Sequence, residues 1–168
     1  MTNILGETNQ AHHLSTAVEN RDIAIELAQQ ARHQLDIFSQ TLDAGLYDND
    51  AFERAVFDLA RLHPSTRIRI LVQDASAALH NGHRLLRLSQ NLTSSVFIRK
   101  PSRDHRDEQG AFIIADGVGY MHRVVGNQYS YNAIANFMAP QQAGQLGDYF
   151  NQVWEHAQQD PQLRRLYV

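Results

Sequence analysis

The chain contains no cysteine. Disulfides, thiolate metal centres and cysteine nucleophiles are therefore excluded. No apolar run approaches the ~20 residues that a membrane span needs. Residues 1–16 offer neither a basic leader nor an apolar stretch, so they do not read as a signal peptide, and a cytoplasmic location is expected. Positive charge is in short supply, with 15 Lys and Arg against 18 Asp and Glu and a formal net charge of −3. That balance argues against general nucleic-acid binding, which draws on a basic surface. There is no Walker glycine loop, no Rossmann fingerprint and no Ser-His-Asp arrangement that spacing supports. His80 and His83 have the i, i+3 spacing of some metal ligands, but nothing nearby completes a set. No metal and no cofactor are expected.

What is present suits one domain with a core: 168 residues, 43% hydrophobic and 20% charged. Residues 1–16 lack periodicity and read as a loose, flexible arm, with the domain proper spanning 17–168. Ile23, Leu27, Ala31 and Leu35 recur at one-turn intervals, widened by Ala24 and Ala28, and predict a helix. Asp36–Gln40 reads as a strand, and residues 42–50 as a polar loop. Asp50 is placed to cap a second helix whose apolar face is Phe52, Ala55, Val56, Leu59, Ala60 and Leu62, stopped by Pro64. Thr66–Gln73 becomes continuously apolar, as a strand buried on both faces does. After a loop over 74–82, Leu85, Leu86, Leu88 and Leu92 mark a helix from about His83, and Ser95–Lys100 is the next strand.

Residues 101–110 read as a charged loop. Ala111–Ala115 and Tyr120–Val125 predict two strands joined at Asp116-Gly117-Val118-Gly119, a hairpin signal. Gly126–Asn136, rich in Asn and Tyr, reads as an ordered loop. Pro140 opens a last helix with Leu146, Phe150, Val153, Trp154 and Ala157 toward the core, and the ending Leu166-Tyr167-Val168 is expected to dock back. Early strands linked through helices imply parallel crossovers, and the late hairpin adds antiparallel strands. The expected fold is α/β: a mixed, mostly parallel sheet flanked by helices.

The stretch Gln109-Gly110-Ala111-Phe112-Ile113-Ile114-Ala115-Asp116-Gly117 resembles the active-site strand of the phospholipase D superfamily, whose motif is His-x-Lys-x4-Asp. Matching on Asp116 puts Gln109 at the nucleophile position and Ala111 at the lysine position, and Gly126-Asn127 follows where a Gly-Ser-x-Asn segment is expected. The resemblance implies one half of a phospholipase D-like protein over roughly residues 35–160, and homodimers, since single-copy members pair. Superfamily members use the histidine as a covalent nucleophile, the lysine to hold phosphate charge and the aspartate to orient the histidine. Neither Gln109 nor Ala111 can do this, so no catalytic residue is assigned.

The chain also resembles an uncharacterised proteobacterial domain family within that superfamily, around Leu42-Asp43, Leu46-Tyr47-Asp48, Arg67-Ile68-Arg69-Ile70-Leu71-Val72, Gly82-His83-Arg84-Leu85-Leu86 and Trp154 through Asp160-Pro161-Gln162-Leu163-Arg164. Some members are joined to GNAT-type acetyltransferases, which implies an acetyltransferase partner.

Ligands of open α/β sheets bind beyond the carboxyl ends of parallel strands. The candidate ligand-binding residues there are Asp74, His83, Arg84, Arg99 and Lys100, with Asp116 from the motif. A helix start bearing His83 and Arg84 can hold an anion, and Gly82 allows close backbone approach. Each also has a plain structural reading: Asp116 as a hairpin turn acid, Asp74 as a turn cap, His83 and Arg84 as solvated first-turn residues, and Arg99–Arg106 as a solvated loop in which Asp104 offsets the cations. Tyr120, Tyr129 and Tyr131 suit base stacking or packing on the sheet. Three functions stay open: a non-catalytic module for an anionic small ligand or a protein partner, a metal-independent phosphodiesterase or nuclease with a relocated histidine (His83, His105 or His122), and an accessory subunit of an acetyltransferase.

Overall fold

The computed structural model describes residues 2–127 and 129–164. The amino-terminal segment carries a short strand, β1 (His12–Leu14). Thr16 then starts α1 (Ala17–Gln30) with a capping box: its hydroxyl accepts from Glu19 N, and the Glu19 carboxylate reaches back to the Thr16 N–H. Next come β2 (Gln34–Ser39), the single turn α2 (Ala44–Tyr47) and α3 (Asp50–Ala60). β3 (Arg67–Val72) is followed by α4 (Ser76–Asn81), α5 (Arg84–Asn91) and β4 (Val96–Arg99). After a 3-10 turn at Arg103–His105 come β5 (Ala111–Ala115), β6 (Gly119–Arg123), β7 (Ala133–Asn136), α6 (Pro140–His156) and α7 (Pro161–Arg164).

All strands form one seven-stranded sheet in the order β1-β7-β6-β5-β2-β3-β4. β2–β3 and β3–β4 are parallel, each crossover running through helices as a parallel pair requires. β5 adds to the free side of β2 in the antiparallel sense, and β6, β7 and β1 continue antiparallel. The sheet is thus mixed and flanked by helices, as expected, but antiparallel pairings outnumber parallel ones. The difference comes from β7 and β1, which lie in segments expected to be loop and arm. His-His-Leu and Ala-Ile-Ala-Asn are too short to show a period, yet each pairs along its length.

Alternation along the strands divides the interior in two. Leu35, Ile37, Ile68, Ile70, Val96, Ile98, Ile113 and Met121 point to one face, where α1, α3 and α5 cover them with Leu27, Phe52, Val56 and Leu85. Phe38, Leu71, Phe112, Ile114 and Tyr120 point to the other, where α6 lays Phe150, Val153 and Trp154 on them. Asp36 shares that second face and is buried there because Arg69, on the neighbouring strand, pairs with it through two N–H groups at 2.9 and 3.2 Å.

Smaller corrections follow the same logic. Leu35, expected on the first helix, belongs to β2 because α1 ends at Ala31. Asn49, not Asp50, caps α3, accepting from Phe52 N at 2.8 Å. Leu62 lies beyond the end of α3 and is exposed. Residues 42–50 and 74–82 are not plain loops, since α2 and α4 lie within them. The expected docking of Leu166, Tyr167 and Val168 falls outside the described residues. Among those described, no helix is long and apolar enough to cross a membrane.

Candidate functional site: the carboxyl ends of β2 and β3

Because β5 runs antiparallel to β2, its start lies at the carboxyl end of β2 and its finish at the amino end. Gln109 and Ala111 therefore stand at the carboxyl ends of the parallel strands, where open sheets bind ligands. Asp116 stands at the opposite end of the sheet. Seven residues of extended chain span about 20 Å, so its carboxylate cannot orient a group at position 109. It accepts the backbone N–H groups of Arg32, His33 and Gln34 at 2.8–3.0 Å, fastening the α1–β2 connection to the β5–β6 turn. Its φ of +53° is the left-handed conformation that Asp tolerates in turns.

Ala111 pairs across the ladder with Arg123 of β6. Arg123 thus stands directly across from the position that a lysine holds in the superfamily, and it is enclosed, with 3% of the residue exposed. One nitrogen donates to the carbonyls of Asn127 and Ser130 at 2.6 and 3.3 Å. Another lies 3.6 Å from the Asp43 carboxylate, and the group sits over the Tyr131 ring at 4.5 Å. The Tyr131 hydroxyl donates to the same carboxylate at 3.0 Å, and its ionisation is pushed up by burial and by that bond. Asp43 also caps α2 by accepting from Gly45 N at 2.9 Å. The cation, the acid and the phenol thus form one enclosed cluster, in which the Arg123 Nε keeps no hydrogen-bond partner.

Two loops close over this end. Gly126 donates its N–H to the Gln109 carbonyl at 2.7 Å. A Cβ at residue 126 would lie 2.5 Å from the Ala111 Cβ, so the loop after β6 rests directly on the lysine position. Gln40, just past β2, donates to the carbonyls of Glu108 and Gly110 at 2.9 and 2.7 Å. Gln73, just past β3, donates to the His105 carbonyl at 2.8 Å. Residues 105–110 are tied across the strand ends by these two amides.

The sequence-derived candidates do not gather around one cavity. Asp74 and Lys100 do come near each other. Hydrogen bonds from Ser76, side chain first and then backbone, lower the Asp74 carboxyl, and the Lys100 charge adds to this. His83 caps α5, accepting from Leu85 N at 3.1 Å; it is 1% exposed rather than solvated, and burial pushes its imidazole below the ordinary range. Arg84 is bonded to Asp48, whose carboxyl ends lowered because the Arg84 bonds outweigh the effect of burial, and it pairs with Asp50 at 3.2 Å. Arg99 points to the α6 face, over Trp154. Among the described residues no three His, Asp or Glu side chains converge on a metal-sized space.

Of the histidines weighed as replacements, His122 is paired with Phe112 across the ladder and lies against its ring, on the face opposite Ala111. His105 turns its ring edge toward Tyr149. Sequence reasoning missed Arg123, and with it the role of Asp43; the two meet only because of the strand order. The signal available was an arginine on the same face of its strand as the apolar Met121.

No curated protein matches the chain. Solved structures match in fold. An archaeal chromatin protein, TrmBL2, with a novel mode of DNA binding, aligns with a TM-score of 0.65 at 10% identity, over 90% of this chain and 54% of its own. This chain therefore spans about half the length of that neighbour. Nuc from Salmonella typhimurium, a phospholipase D family member, aligns at 0.59 and 12% over 89% of this chain and 97% of its own. NucT from Helicobacter pylori aligns at 0.64 and 10%, over 90% and 99%. The fold is thus phospholipase D-like. The model of DUF7931, a domain of unknown function, matches residues 16–166, and the chain belongs to that family.

Proposed function

We propose that this protein is a non-catalytic phospholipase D-like module that binds an anionic, phosphate-bearing ligand or a protein partner. The observation that carries this reading is the closed lysine position: Ala111 lies under Gly126, and the nearby cation, Arg123, is committed to Asp43 and to backbone carbonyls. A hydrolytic site needs an accessible nucleophile and a cation free to meet phosphate. Kinship adds two elements to the proposal, pairing of two copies and an acetyltransferase partner. Exposed Val124, Val125 and Ile134, next to one another at β6 and β7, support a protein contact on that side. Sedimentation of the pure protein and co-purification test these two elements.

The rival, a phosphodiesterase with a relocated histidine, draws little from the geometry, since His83 is enclosed and His122 lies on the face opposite Ala111. The deciding experiment is turnover of bis(p-nitrophenyl) phosphate by the wild type and by His83→Asn, His105→Ala and His122→Ala. The expected result is no turnover above buffer for any of them. Turnover by the wild type that one substitution abolishes would overturn the reading.

A further inference from the structure

A second concentration of positive charge lies on the other face of the sheet. On β3, Arg67 and Arg69 are two residues apart and so project to the same face as Leu71, under α6. On β4, Arg99 projects to that face too, pairing with Leu71 across the ladder. With Gln34, Asn151 and Trp154 they line a groove of about 460 Å³, within the size range of small-ligand sites. Asp36 is the acid paired within it. It neutralises Arg69, accepting from it through both oxygens, and it also takes the Gln34 amide N–H groups. Among the described residues neither Arg67 nor Arg99 has a carboxylate within ion-pair distance. Three guanidinium groups on one small face against one carboxylate leave uncompensated positive charge, and like charges on neighbouring same-face positions are destabilising unless an anion offsets them.

The arginines are also held in place. Arg99 lies 4.2 Å over the Trp154 ring and donates one N–H to the Trp154 carbonyl at 3.2 Å. Arg69 is fixed by Asp36, by Asn151 at 2.8 Å and by the Phe150 ring at 4.9 Å. Arg67, exposed, uses one nitrogen on the carbonyls of Pro64 and Thr66. A guanidinium presents five N–H donors in a plane that matches a phosphate, so each of these arginines has donors to spare.

We infer that this groove binds the phosphate group of a small phosphomonoester, held by Arg67 and Arg99 with Arg69 behind them. The inference rests on the binding-module reading and names the place and ligand class. The test is calorimetric titration of the full chain with inorganic phosphate, ribose 5-phosphate and, as the uncharged counterpart, ribose. The variants are Arg67→Ala, Arg99→Lys and, at the strand ends, Arg103→Ala.

The expected result is saturable binding of ribose 5-phosphate but not of ribose, weakened about tenfold by either groove substitution and unchanged by Arg103→Ala. Inorganic phosphate binding as tightly as the ester would still support the site and would assign the affinity to the phosphate alone. Binding that survives both groove substitutions, or that Arg103→Ala abolishes, would overturn the groove while leaving the module intact. Absence of binding by every phosphate compound would overturn it too. The module reading itself fails only in the separate turnover assay.

Discussion

Two arginine-bearing regions lie on opposite faces of the same sheet and treat their charge differently. Arg123 is enclosed with Asp43, Tyr131 and two carbonyls, and a loop rests on the strand beside it. Arg67 and Arg99 are partly hydrated, stand without a carboxylate partner among the described residues and keep donors in reserve. A cation whose partners are all internal holds the fold together, because removing it would leave its buried acid alone. A cation with unmatched charge and a fixed orientation is available to something from outside. Position in the fold would have suggested the reverse, because the enclosed arginine is the one beside the strand-end crevice where open sheets bind.

The largest expected effect separates the two regions directly. Arg123→Met leaves the Asp43 carboxylate without its cation and two loop carbonyls without their donor. Breaking a buried pair from one side typically costs about 3–5 kcal/mol, measured by urea unfolding. A loss below about 1 kcal/mol would break the comparison, since Arg123 would then behave like a surface residue. Gly126→Ala probes the closure itself. The added methyl would meet the Ala111 Cβ at 2.5 Å and the Ala111 backbone nitrogen at 3.2 Å. Overpacking of this kind costs about 1–3 kcal/mol. An unchanged unfolding midpoint would mean that the loop moves aside and the crevice can open.

How much of this contrast the sequence could show depends on the distance over which each contact is made. β5 was legible to the residue, because Ala111–Ala115 is an apolar run ended by Asp-Gly. β3 and β4 were legible because each is a short apolar run, Ile70-Leu71-Val72 and Val96-Phe97-Ile98. α2 and α4, of four and six residues, are shorter than a helical period needs to be visible. The capping box at Thr16 and Glu19 is a local signal, three residues apart, that marks the start of α1. At the site, the replacement of the catalytic pair by Gln109 and Ala111 was visible as a local motif. The meeting of Asp43 with Arg123 and Tyr131 was not, because residues 80 or more apart are joined only by the strand order. The groove lay between these cases. Arg67-Ile68-Arg69-Ile70 alternates with period two, which puts both arginines on one face, but their neighbours Asp36 and Arg99 follow from the register of β2, β3 and β4.

A smaller effect comes from titration of a buried histidine beside the closed side. Burial lowers the His83 imidazole below its ordinary value of 6.5; the carboxylates of Asp48 and Asp43 oppose this and the Arg84 charge adds to it. Above pH 6.5 the ring is neutral in the folded and unfolded chains, and its contribution is fully present. As the pH falls from 6.5 toward the folded value, the unfolded chain takes up the proton first and stability declines, by at most about 1.4 kcal/mol per pH unit. His122, also lowered by burial, acts in the same sense. His83→Asn keeps a side chain that can cap α5 and removes one proton from the balance. Urea unfolding at pH 7.5 and 5.5 should therefore show a smaller acid loss in the variant. An equal loss in both would place the sensitivity elsewhere.

The smallest expected change is the one that completes the contrast. Arg67 is exposed, and its hydrogen bonds go to the carbonyls of Pro64 and Thr66, which water can serve when the side chain is removed. Its closest same-face neighbour on the strand, Arg69, carries the same charge, so removing Arg67 also relieves some repulsion. Arg67→Ala is therefore expected to shift the unfolding free energy by less than about 0.5 kcal/mol in either direction. Raising the salt concentration should narrow even that difference, because exposed charges are screened within about 10 Å at 0.1 M. A loss of 2 kcal/mol or more, well above what surface positions usually show, would mean that Arg67 belongs to the fold, as Arg123 does. A near-zero change would mean that the arginine is held in place without being needed for folding, which is the condition a ligand-binding cation has to meet.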